Sequence, residues 1–160
     1  MNDTNMKITF IQTGGTIDKD YKETENHHGY NFEIALPAVK TILEKIKPNF
    51  NFEIISIVKK DSLDLTNEDR ENILNQCQNI NGSKIIITHG TDTFKKTAEK
   101  LSVIKNKTII LTGAMKPEKF KDSDAEFNIG VTVGAVNILP NGIYIAMCGV
   151  VYKWEEYQQN

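Results

Sequence analysis

Short apolar runs alternate along this chain with stretches in which apolar residues return every three to four positions. The runs Met6–Gln12, Phe52–Val58, Lys84–Thr88, Thr108–Leu111 and Ile143–Met147 have the length and composition of buried strands. Between them, Leu36, Val39, Leu43 and Ile46 predict one helix face, with Pro37 near the start and Pro48 beyond the end. Ile73, Leu74, Cys77 and Ile80 predict a second helix, and Phe94, Ala98, Leu101 and Ile104 a third. A fourth is expected from about Ala125 to Leu139, with Phe127, Val131, Ala135 and Ile138 turned inward and Gly130 and Gly134 admitting a close backbone neighbour. Strands alternating with helices predict an α/β domain, a mostly parallel sheet with helices on both faces joined by right-handed crossovers.

The strand ends are where this pattern acquires chemistry. Thr13-Gly14-Gly15-Thr16 follows the first run and Thr88-His89-Gly90-Thr91-Asp92-Thr93 closes the third. In open parallel sheets, ligands bind beyond the carboxyl ends of the strands. A glycine pair brings backbone N–H groups close to a ligand, and a hydroxyl there can attack a carbonyl once a base activates it. Taken alone, Thr13–Thr16 reads equally well as an ordinary turn. Thr91 or Asp92 could cap the third helix, yet Asp92 also offers charge to an ammonium group. Asp61-Ser62 leaves a hydroxyl free for a carboxylate, while Thr66 and Asp69 have the spacing of a capping box. Thr112-Gly113-Ala114 falls past another strand end, and Asp122-Ser123-Asp124 is expected to cap the fourth helix. The polar stretch 18–32, with His27-His28-Gly29-Tyr30, predicts a hairpin or lid. His89 in its tight turn reads as structural.

Composition narrows the classes. With 160 residues, 39% hydrophobic and 25% charged, the chain fits one soluble globular domain. A net charge of −2 with interspersed lysines gives no case for nucleic acid or an anionic membrane as partner. The polar start Met1–Lys7 lacks the apolar stretch of a secretory leader, and Cys77 and Cys148 have no metal-type spacing, so a cytoplasmic protein without a metal site is expected.

Thr13-Gly14-Gly15-Thr16-Ile17 and Thr88–Thr93 resemble the two signature motifs of bacterial-type L-asparaginases, and Asp61-Ser62, Gly113-Ala114-Met115 and Asp122-Ser123-Asp124 with Phe127-Asn128 follow in that family's order. The resemblance covers the whole chain and corresponds to the family's N-terminal domain. It implies a three-layer, flavodoxin/Rossmann-like sandwich over 1–160 with no C-terminal domain. It implies hydrolysis of a side-chain carboxamide, with L-asparagine or a related amino-acid amide as the small-molecule substrate and no cofactor. Thr16 would be the acyl-accepting nucleophile, and Tyr30, or secondly Tyr21, would help to activate it. Thr91 would position the attacking water, Asp92 would bind the α-ammonium and Ser62 the α-carboxylate, with Gly15 and Ala114 lining the pocket. A homodimer or higher homo-oligomer is implied, because a neighbouring subunit completes the family's sites. The family's lysine partner of the second threonine and aspartate falls at Gln159, with Lys153 the nearby alternative. A protein that binds amino acids without fast turnover is the rival reading, and a nucleotide binder ranks last because neither glycine pattern has phosphate-loop spacing.

Overall fold

The computed structural model describes residues 6–21 and 32–159. Strand β1 (Lys7–Gly14) is followed by a hairpin of β2 (Lys19–Tyr21) and β3 (Phe32–Ile34), helix α1 (Ala38–Ile46) and β4 (Asn51–Lys60). Then come α2 (Asn67–Asn79), β5 (Lys84–Thr88), α3 (Phe94–Leu101), β6 (Thr108–Thr112), α4 (Ala125–Ile138), β7 (Gly142–Met147) and β8 (Val150–Lys153). The main sheet runs β4-β1-β5-β6-β7-β8, parallel throughout except for β8, which pairs antiparallel with β7 at one edge. Among its five parallel strands the chain first goes outward from β1 to β4, then returns to β5 on the other side of β1. The order reverses there, and the β1/β5 boundary is the switch point of a flavodoxin-like sheet.

The alternation of side chains across the pleat divides the core in two. Ile85 and Ile87 of β5, with Ile109 and Leu111 of β6, pack under Ile73, Cys77, Phe94, Ala98 and Leu101 of α2 and α3. Ile86 and Ile110 point the other way, joining Ile8 and Phe10 of β1 beneath Val39, Ile42 and Leu43 of α1 and Ile129 and Val136 of α4. The result is a three-layer α/β sandwich. No described helix is long and apolar enough to cross a membrane.

Two helix faces differ from the sequence expectation. Leu36 precedes α1 and is exposed, as is Ile46, while Ala38 and Ile42 join Val39 and Leu43 inside. In α4 the inward face is Ala125, Asn128, Ile129, Thr132 and Val136; Phe127 and Ile138 are exposed, and Val131 and Ala135 are only half-buried. Glu126 is the one charged residue of α4, so apolarity alone does not orient the helix. Hydrogen bonds of Asn128 decide instead: its Nδ2 donates to the Gly113 carbonyl at 3.0 Å and its Oδ1 accepts the Cys148 N–H at 3.1 Å. Gly130 and Gly134 consequently face open space, with nothing within 4 Å of where a Cβ would sit.

The hairpin expected over 18–32 is present at its base, where Lys19 pairs with Ile34, Asp20 with Glu33 and Tyr21 with Phe32. Tyr30, His27 and His28 lie outside the described residues.

Candidate functional site

At the switch point three chain turns touch, two of them through glycines. Gly15 has φ +84°, and a Cβ on it would fall 2.3 Å from the Gly90 nitrogen. A Cβ on Gly90 would in turn lie 2.7 Å from both Cβ and Oγ of Ser62. Only glycine lets the turn after β1 seat on the turn after β5, and that turn on the one after β4. The Gly15 N–H donates to the Lys60 carbonyl (3.1 Å), the Thr13 hydroxyl to the Thr88 carbonyl (2.8 Å) and the His89 N–H to the Thr112 carbonyl (2.9 Å). Short 3-10 turns, Thr16–Asp18 and Thr91–Thr93, then carry Thr16 and Thr91 half-buried and Asp92 exposed. Ser62 is completely buried, yet its Oγ has no hydrogen-bond partner among the described residues. A buried hydroxyl left unbonded is costly, and a ligand atom is one way to satisfy it.

Behind the crevice stands Arg70 of α2, buried and with no carboxylate paired to it among the described residues. Its guanidinium donates to the Leu65 carbonyl (2.6 Å), Thr93 Oγ1 (3.0 Å) and Thr97 Oγ1 (3.2 Å). The Thr93 hydroxyl donates its own proton to the Ser62 carbonyl at 3.0 Å. On the other branch, Thr97 Oγ1 lies 2.8 Å from His89 Nε2, and His89 Nδ1 lies 2.6 Å from the Gly90 carbonyl. A carbonyl only accepts, so Nδ1 carries the proton and Nε2 accepts from Thr97. Arg70 therefore anchors both the Ser62 and Gly90 walls through two hydrogen-bonded chains. Burial holds the guanidinium below its ordinary pKa, and burial pushes His89 down to about 4, so the imidazole stays neutral near pH 7. Its role is structural, as its position in the turn predicts.

Ala114, in the loop after β6, is buried with the α1/α4 core. Asp124 fixes that loop: its carboxylate accepts the N–H groups of Met115 and Lys116 and the Asn128 amide, all near 3 Å. The segment Asp122-Ser123-Asp124 caps α4 as expected, with Asp124 the N-cap residue and the Ser123 hydroxyl taking the Ala125 N–H, but the Asp124 side chain itself makes no cap bond. Nor do Thr91 and Asp92 cap α3, whose N-cap is Thr93. Thr66 and Asp69 do form the predicted capping box at α2. Arg70 is a support that the sequence reading does not name, because a charged residue in a polar helix carries no signal of its partners; Asp124 and Asn128 are named there, but not their bonds to the loop after β6.

Past β8 the chain turns back along α3. Tyr157 packs against Phe94 with ring centroids 5.9 Å apart, and Lys95 Nζ donates to the Tyr157 carbonyl at 3.2 Å. That docking brings Gln159 Nε2 to 3.4 Å from Asp92 Oδ1. Lys153 pairs with Tyr144 near the amino end of β7, at the opposite end of the sheet from Asp92. Tyr21 is stacked on Phe32 at 5.0 Å within the hairpin.

Residues 7–158 match the model of the asparaginase N-terminal family. A probable periplasmic L-asparaginase of Haemophilus influenzae is 31% identical over 128 residues, spanning 76% of this chain and 36% of its own length. A component of the glutamyl-tRNA(Gln) amidotransferase of Methanococcus maripaludis is 31% identical over 150 residues, 89% of this chain and 35% of its own. Among solved structures, the thermostable L-asparaginase of Thermococcus kodakarensis superposes with a TM-score of 0.79 at 26% identity, over 93% of this chain and 46% of that one. The chain thus spans about a third of the length of these sequence relatives and just under half of the structural one. With nearly every described residue inside the family model, the chain belongs to the asparaginase family, over the part formed by its N-terminal domain.

Proposed function

We propose that the crevice hydrolyses the side-chain carboxamide of L-asparagine, or of a related small carboxamide, through an acyl-enzyme on Thr16. The observation that carries this reading is the buried, unbonded Ser62 hydroxyl beside two threonine-bearing turns at the switch point. Asp92 takes the ligand's α-ammonium and Ser62 its α-carboxylate, while the backbones of Gly15 and Ala114 line the carboxamide end. Thr16 Oγ attacks the carboxamide carbon, with Tyr30 assisting removal of its proton. Backbone N–H groups steady the oxyanion, and the amide nitrogen leaves as ammonia after accepting a proton. Water positioned by Thr91 then cleaves the ester, releasing the acid and restoring the hydroxyl. The protein works as a homodimer or higher homo-oligomer in a reducing, cytoplasmic compartment, a setting that the free Cys77 and Cys148 support.

Ammonia release from L-asparagine, L-glutamine and a carboxamide panel tests the reading, with Thr16→Ala as the blank. Turnover is expected to fall by more than about 10³-fold in that variant without loss of fold, as removal of a nucleophile does. Wild-type-like activity in Thr16→Ala refutes the assignment.

Gln159 against Asp92 favours a second reading, an amino-acid binder with slow or no turnover. A neutral amide neither relays a proton nor supplies a cation as the family's lysine would. In that case aspartate raises the melting temperature while ammonia stays at the blank level.

A further inference from the structure

Arg70 carries a charge that the anchoring of the two walls does not use. The residue is 7% exposed, and the carboxylates that flank it in α2 are committed elsewhere: Asp69 pairs with Lys60 at 2.7 Å and Glu71 pairs with Lys100. The groups that its guanidinium touches are neutral. Nη1 donates to the Leu65 carbonyl at 2.6 Å, just past the Ser62–Asp64 turn, and Nη2 to Thr93 Oγ1 at 3.0 Å. The Thr93 hydroxyl continues in the same direction, donating to the Ser62 carbonyl at 3.0 Å. Both branches thus run donor to acceptor from a full positive charge to the turn that forms the Ser62 wall. A guanidinium keeps its proton in proteins, and a buried charge is screened much less than an exposed one.

The lysines around the crevice are occupied. Lys19 is held by Asp61 at 2.7 Å, Lys95 donates to the Glu155 and Tyr157 carbonyls, and the side chain that meets Asp92 is the neutral Gln159. We infer that Arg70 is the positioning residue that makes the crevice select a ligand bearing a carboxylate, by holding an unpaired positive charge beneath the Ser62 wall. The inference rests on the placement of the α-carboxylate at Ser62 proposed above, and it supplies what that placement lacks. A serine hydroxyl donates equally well to a carboxylate or to a carboxamide, so it does not choose between them. A charge does: two unit charges about 10 Å apart at an effective dielectric constant of about 20 change binding roughly tenfold.

The test sets each variant against two ligands, L-asparagine and L-aspartic acid diamide, which differ only in carboxylate against carboxamide at the α-carbon. Calorimetry gives both Kd values, in a Thr16→Ala background so that neither ligand is consumed. With Arg70 in place, L-asparagine is expected to bind more tightly, although Asp92 alone would favour the cationic diamide. Arg70→Met, neutral and of similar length, is expected to weaken L-asparagine about tenfold more than the diamide. Arg70→Lys, which keeps the charge and loses the fork, is expected to weaken both and preserve their ratio. A mere prop would move both ligands alike, so equal weakening in Arg70→Met overturns the inference. So does loss of the preference in Arg70→Lys, or a preference for the diamide with Arg70 in place. Should Arg70→Met fail to fold, the preference with Arg70 in place and its retention in Arg70→Lys decide. If neither ligand binds with Arg70 in place, the carboxylate assignment at Ser62 falls and takes the inference with it.

Discussion

Ser62 and Asp18 each bury a side-chain oxygen inside the fold, and the two differ in charge. For the Ser62 hydroxyl the cost is that of one missing hydrogen bond, about 1–3 kcal/mol. For Asp18 burial is the larger effect: it raises the carboxyl pKa to about 6, against the Ala38 N–H, the Gln12 side chain and the Lys59 charge, which favour the anion. The folded chain then binds a proton that the unfolded chain has already released, so stability falls as pH rises from about 4 to 6 and the cost persists above that. From the two pKa values it is on the order of 3 kcal/mol. Urea denaturation of wild type and Asp18→Asn should therefore show the variant gaining relative stability across that window and holding the gain at pH 8. A difference that does not change with pH overturns the assignment. At the crevice, Gln159→Lys places an ammonium where the amide now meets Asp92. If the site turns over, it should raise the rate of ammonia release by about 10²-fold or more. An unchanged rate removes Gln159 from the chemistry.

Among the elements, α4 records most clearly what a hydropathy pattern determines. Its apolar residues lie all around, so two faces compete, and the choice is made by Asn128 through Gly113 and Cys148, partners that no local pattern reveals. The amphipathic α3 buries Phe94, Ala98 and Leu101 as its spacing predicts, and Ile104, also buried, lies just past its end. The outward Gly130 and Gly134 of α4 are helical and unobstructed. Gly130→Ala and Gly134→Ala should each add about 0.5–1 kcal/mol by restricting the unfolded chain. Thermal melts of the single and double variants check this; a loss of stability means that a neighbour covers the face. The Thr-Gly and Ser turns were legible because each follows an apolar strand. Arg70 was not, because its helix is mostly polar and its partners Thr93 and Thr97 lie beyond β5 in the sequence.

At the scale of the molecule, alternation of elements predicted a parallel sheet, but the order of strands depends on contacts distant in sequence. The reversal at β1/β5 supplies what the motifs alone lacked: a reason for the first and third strand ends to meet. Asp92 and Gln159 stand exposed at the rim of that crevice. If a second copy completes it, sedimentation should give at least twice the 18.1 kDa chain mass; a strict monomer removes the homo-oligomer from the proposal. The contact of Gly15 with Gly90, and of Gly90 with Ser62, also limits how such a site can change over generations. A larger residue at any one of the three is blocked by backbone or side chain at the next, so a bulkier variant there is harmful until its neighbour has already moved. The three loops must drift together or remain as they are, and transplanting one without the others into another scaffold should yield a crevice that does not close.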